Sequence, residues 1–170
     1  MNTVYKFHFT LLLLFCAVAA KSQTTNYKTY SVFLYSFAKY VEWPEGAKQG
    51  DFVIAVYGSP KMLSELQASA TGRKAGRQNI KIVEAKSLAE ISGAQMVFVG
   101  DLKSGSTDDI VKQFKGIPLL IVTERDGLIK KGAGISFLIT DDNSLRFQLN
   151  EPALSDQKLK VGTALANLAY

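Results

Sequence analysis

The sequence predicts an α/β protein: a three-layer sandwich with a mainly parallel sheet of four strands, plus a C-terminal antiparallel hairpin. Two observations predict it. Three short apolar runs, residues 52–57, 96–99 and 119–122, and a further strand-like segment, 80–84, alternate with segments of helical character. An unbroken apolar run of strand length suits a parallel strand covered on both faces. Further on, two strand-like runs, 134–140 and 145–149, are joined by Asp141-Asp142-Asn143-Ser144. Those are turn residues, so the two runs should pair as a hairpin.

The chain opens on an expected export signal over residues 1–22. Lys6 precedes an apolar stretch, residues 9–20, broken only by Thr10, and Ala20 and Ser22 supply the small residues of a cut before Gln23. A basic start, an apolar middle and a small-residue end form the pattern of a cleavable signal peptide. The stretch is too short for a spanning helix, which needs roughly 20 apolar residues. Residues 23–170 are then expected to form a single α/β domain. The signal carries two bases, Lys6 and Lys21, and no acid, so its removal takes the formal charge from +5 to +3. That mild balance, without a basic stripe, argues against nucleic acid as a partner. The only Cys, Cys16, and the only His, His8, leave with the signal. The mature chain therefore has neither a disulfide nor the imidazole of a hydrolytic triad.

The elements follow in order. Tyr30, Phe33, Phe37 and Tyr40 recur at helical spacing, and Trp43-Pro44 should end that helix, because the residue before Pro disfavours helical angles. After the strand at 52–57, Ser59 reads as a helix cap with Pro60 at the first helical position. Met62, Leu63 and Leu66 supply that helix with an inner face. Residues 69–79 read as a Gly- and base-rich loop, 87–91 as a short helix, and Ser106 with Asp109 as a capping box for a helix carrying Ile110, Val111 and Phe114. Asn150 should cap a short helix at Glu151-Pro152, and 161–168 should form the last helix, with Leu165 and Leu168 on one side.

The candidate chemistry is sparse. Val56-Tyr57-Gly58-Ser59-Pro60 has one Gly, not the three of a dinucleotide fingerprint, and no P-loop is present. Gly58 and Ser59, with Arg73 and Arg77 of the base-rich loop, are the candidate anion- or ligand-binding residues, since backbone N–H groups and guanidinium forks suit phosphate. The bland reading of that loop is a solvated connection. Asp141-Asp142-Asn143 offers too few spaced oxygens for calcium. No catalytic residue, metal site or cofactor is expected. Phe37, Tyr40 and Trp43 read first as the core face of a packed helix. The alternative is a partner-binding surface, with Tyr40 and Trp43 partly exposed.

Residues 37–44, Phe-Ala-Lys-Tyr-Val-Glu-Trp-Pro, are similar to the signature that opens the YfiR/HmsC-like family of periplasmic regulators. Runs 52–58, 76–82, 95–99 and 119–123 resemble its four strands, 132–137 and 145–150 its closing hairpin, and 159–162 the entry to its final helix. The resemblance implies a non-enzymatic periplasmic protein that binds and represses an integral inner-membrane partner. That partner would be the sensor domain of a diguanylate cyclase, in cyclic-di-GMP and biofilm signalling. A second copy of the chain is a further candidate partner, because an exposed aromatic patch suits a dimer. Some family members sense redox state through cysteine pairs; here Ala94 or Gln95 stands about where one such Cys would be. Two other functions stay open on the residues alone. One is a small-molecule binding module with its pocket at the strand ends near Gly58 and Gly100. The other is a carboxylate-dependent hydrolase.

Overall fold

The computed structural model describes residues 25–170. The expected signal peptide, residues 1–22, and its cut site lie outside them. Helix α1 (Tyr27–Tyr40) comes first and buries Tyr30, Leu34, Phe37 and Ala38. It ends earlier than the Trp43-Pro44 stop alone would require. Val41 turns extended (ψ 135°) and with Glu42 forms strand β1 (Val41–Glu42), which pairs antiparallel with β9 (Lys160–Val161) through Val41↔Val161. A tertiary partner therefore sets the helix boundary.

The main chain of elements is β2 (Phe52–Tyr57), α2 (Pro60–Ser69), β3 (Lys74–Ala75), β4 (Gln78–Ala85), β5 (Met96–Val99), α3 (Thr107–Gln113), β6 (Leu120–Thr123), β7 (Ile135–Ile139), β8 (Leu145–Leu149) and α4 (Glu151–Asp156), with α5 (Thr163–Ala166) after β9. Strands β3 to β8 and β2 make one seven-stranded mixed sheet in the order β3-β4-β2-β5-β6-β7-β8; β1 and β9 form a separate two-stranded one.

The parallel part of the sheet has five strands, not the expected four. β4, β2, β5 and β6 are parallel neighbours. β7, expected only as half of a hairpin, also joins β6 in parallel through Val122↔Ile135 and Thr123↔Ser136. The connection before it contains a 3₁₀ turn, Leu128–Lys131, flanked by Gly127 and Gly132 in left-handed conformation (φ 79° and 87°). That turn packs Leu128 into the core and returns the chain to the same end of the sheet. The β7–β8 hairpin itself is antiparallel as expected, with Phe137↔Phe147 in register.

Alternation along the strands builds two cores. Phe52, Ile54, Val56, Met96, Phe98, Leu120, Val122, Ile135 and Phe137 face one cluster with α1, α2, Leu154 and Leu165. Ala55, Tyr57, Val97, Val99, Leu119 and Ile121 face the other, against Ile91, Ile110, Phe114 and Leu128. This explains the unbroken apolar runs, because both sides of each central strand are dry. The three-layer description is corrected at the hairpin, since no residue of β7 or β8 belongs to the second cluster. Where that apolar cover stops, Thr123 and Ser136 are fully buried and share a hydrogen bond of 2.6 Å between hydroxyls.

Smaller departures fall in short segments. Residues 87–91 give only a 3₁₀ turn, Ala89–Ile91. The last helix spans only Thr163–Ala166, with Val161 taken into β9, and Leu168 is 64 % exposed while Leu165 is buried. Short segments are decided by what they pack against, not by their own periodicity.

Candidate functional site

The aromatic residues of α1 hold the helix onto the sheet. The Tyr30 ring lies 4.6 Å from that of Phe137, and Phe37 meets Phe147 edge-on at 5.0 Å. Trp43 meets Phe52, the first residue of β2, at 5.0 Å and 79°, the edge-to-face geometry that aromatic pairs prefer. Phe37 is wholly buried and Trp43 is 8 % exposed. The expected exposure of Trp43 is therefore corrected. Its indole N–H donates to the Ala38 carbonyl at 3.2 Å, so no polar atom holds the ring at the surface. Of the three candidate partner-binding residues, the structure leaves only Tyr40 exposed, at 47 %.

Tyr40 stands on the outer side of α1 in line with Ser36 and Val32, one helical turn apart from each other. Between this side and the β3 region runs a groove of about 320 Å³ lined by Val32, Tyr35, Ser36, Lys39, Tyr40, Arg73, Lys74 and Ile80. Two of its cations rest on aromatic faces. Lys39 Nζ is 5.1 Å from the Tyr40 ring centre and the Arg73 guanidinium 4.2 Å from that of Tyr35. Arg73 Nε also donates to the Ser69 carbonyl at 2.9 Å. The Tyr35 hydroxyl donates to the Leu66 carbonyl and shares a hydrogen bond with Ser69. Burial, the largest influence, pushes that hydroxyl above its ordinary pKa, so it stays a neutral donor. A larger groove of about 810 Å³ adjoins, with Trp43, Glu42, Lys48 and Arg77 in its walls. Gln78 is buried beneath it and donates to the carbonyls of Ala47 and Gln49.

The candidate anion-binding residues do not converge. β2 and β4 run parallel with Phe52 opposite Ile80 and Tyr57 opposite Ala85. Gly58 and Ser59 follow the C-terminal ends of these strands, whereas Arg73 and Arg77 precede the N-terminal end of β4. They occupy opposite ends of the sheet. Arg73 and Arg77 instead line the two adjoining grooves.

Gly58 and Ser59 lie at the topological switch point. The chain passes from β2 to β4 on one side and returns to β5 on the other, and ligands of open α/β sheets bind in the crevice between such outgoing loops. Here the two loops approach each other closely. Gly100 N donates to the Tyr57 carbonyl at 2.8 Å, and a Cβ on Gly100 would run into the Gly58 carbonyl oxygen and Ser59 Cβ. Gly58, at φ 80°, is covered by the Lys103 side chain, whose ammonium is 5.3 Å from the Tyr57 ring centre. The strand ends at Gly58 and Gly100 are therefore closely packed, with no room for a Cβ at Gly100. Ser59 is buried there and its side chain does not cap α2; Ser106 does not cap α3 either.

Beside these loops is a contact that the residue patterns did not single out. Glu124 Oε1 accepts a hydrogen bond from the Tyr27 hydroxyl at 2.7 Å, and Oε2 accepts one from the backbone N–H of Asp101 at 2.9 Å. Asp101 in turn pairs with Arg125 at 2.6 Å. The carboxylate thus ties the first residue of α1 to the loops after β5 and β6. An acid directly after an apolar strand is the one signal the sequence offers for it.

The fold and its surfaces define an α/β protein with an aromatic and cationic groove along its first helix. A family model described as YfiR/HmsC-like matches residues 27–170, and the chain belongs to that family. The family is one of periplasmic regulators of cyclic-di-GMP signalling. No curated protein matches the chain. Among the described residues, no helix is long and apolar enough to cross a membrane.

Proposed function

We propose that the protein, with residues 1–22 removed, works in the periplasm as a non-enzymatic regulator. It binds the sensor domain of an integral inner-membrane diguanylate cyclase and holds it inactive. The observation that carries this reading is the family match over residues 27–170. The geometry supports it: the aromatic helix presents Tyr40 outward beside a row of cations. Such a surface suits protein contact, where Tyr and Arg are enriched.

Affinity capture from solubilised inner membranes tests it. The expected result is retention of an integral-membrane protein with a cyclase output domain, at reduced yield with Tyr40→Ala. Recovery of no integral-membrane protein under several conditions contradicts the proposal. A second reading, a small-molecule binding module, is favoured by the 810 Å³ groove beside Trp43 and Arg77, a volume within the usual range of ligand sites. A thermal-shift screen with nucleotides, amino acids and vitamins separates the two, because a ligand that binds only the folded state raises its melting temperature.

A further inference from the structure

The groove along α1 has one-sided chemistry. Its lining contains three cations, Lys39, Arg73 and Lys74, and no carboxylate. None of the three makes an ion pair with a described residue, whereas Lys48, Lys86, Arg125 and Lys131 all do. Glu65 is close enough to act on the Tyr35 hydroxyl, and Glu42 lines the adjoining groove, but neither enters this one. Between the cations stand Val32 and Tyr40, 56 % and 47 % exposed. An apolar floor bordered by unpaired positive charge is complementary to an acidic segment that carries an apolar or aromatic anchor.

We infer that this groove is the docking site for an acidic, apolar-anchored peptide segment of the membrane partner. The inference rests on the regulator reading above. The anchor lies against Val32 and Tyr40, and carboxylates of the segment meet Lys39, Lys74 and the guanidinium of Arg73. Arg73 is held in place by its stacking on Tyr35 and its bond to Ser69, so it offers a fixed fork to a carboxylate.

The test is site-specific photo-crosslinking in intact cells. A benzophenone amino acid replaces Tyr40 in one strain and Ile117 in another. Ile117 is exposed in the connection after α3, whose Ile110, with Phe114 just beyond the helix, packs on the other face of the sheet. The expected result is a crosslink from position 40 whose attached peptide is an acidic stretch of an integral-membrane protein. Its yield should fall about tenfold or more with Lys39→Glu/Lys74→Glu, the size of effect that electrostatic steering supports. An unchanged urea midpoint for that double variant would show that the fold is intact. A membrane-protein crosslink from position 117 alone overturns the groove assignment and leaves the regulator reading standing. Absence of membrane-protein crosslinks from both positions contradicts both. A crosslink to a basic or neutral segment, or a yield that ignores the charge reversal, overturns the groove assignment. So does co-sedimentation of the purified protein with phosphatidylglycerol-containing vesicles that is lost in the same double variant, which would assign the groove to lipid instead.

Discussion

Phe37 and Tyr40 are three positions apart on one helix, yet one is fully buried and the other is 47 % exposed. Phe37→Ala should lower folding stability by about 3–5 kcal/mol, the usual cost of emptying a packed aromatic site. Tyr40→Ala should change it by no more than about 0.5 kcal/mol, as surface substitutions do. Urea unfolding of both variants checks this. Gly100 is the other position with no room to adapt. Gly100→Ala should cost about 1–3 kcal/mol, because its neighbour is a carbonyl of the backbone and cannot swing aside. Gly46→Ala, with open space around it, is the control. Tyr30 gives a pH signature. Burial, followed by the charges of Glu124 and Tyr27, pushes its hydroxyl up to about 12 from an ordinary 10.0. The folded state therefore holds the neutral phenol longer than the unfolded chain does. That contribution to stability is complete below pH 10 and is lost as pH rises through 12. The urea midpoint should fall across this window, and Tyr30→Phe should flatten the fall.

At the scale of elements, local signals were legible and tertiary ones were not. Asn150 caps α4 as its sequence position indicates, accepting a hydrogen bond from Ala153 N–H at 3.1 Å. It also donates to the Ile129 carbonyl at 3.0 Å, which ties α4 to the turn before β7. Asn150→Ala should cost about 1–2 kcal/mol, measurable as a drop in the urea midpoint. Ser59 carries the same kind of cap signal, and its carbonyl accepts from Leu63 N–H at 3.0 Å, but its side chain does not cap α2 and is instead hydrogen-bonded to Tyr27. The apolar runs of β2, β5 and β6 were readable because both their faces are buried. The parallel placement of β7 was not, because direction is set by the crossover that feeds a strand and not by the strand's own residues. β1 and β9, two residues each, pair across nearly the whole described chain and leave no periodicity to read.

For the whole molecule, the family was legible from residues 37–44 and the runs that follow, and the match over 27–170 agrees. The candidate site was only partly legible. A helical aromatic pattern marks which face carries large rings but not which rings the sheet will cover, so Phe37 and Trp43 belong to the core and Tyr40 to the surface. Arg73 and Arg77 were joined with Gly58 and Ser59 by residue type, and the parallel register of β2 and β4 separates them. What remains at the surface is an aromatic and cationic groove along α1, which together with the family match supports the proposal of a repressor that works by contact. The most direct measurement is cellular cyclic-di-GMP in a strain lacking the protein, complemented with wild type or with Lys39→Glu/Lys74→Glu. The account predicts a raised level in the deletion, restoration by wild type and failure of the charge-reversed variant to restore it. An unchanged level in the deletion would contradict it.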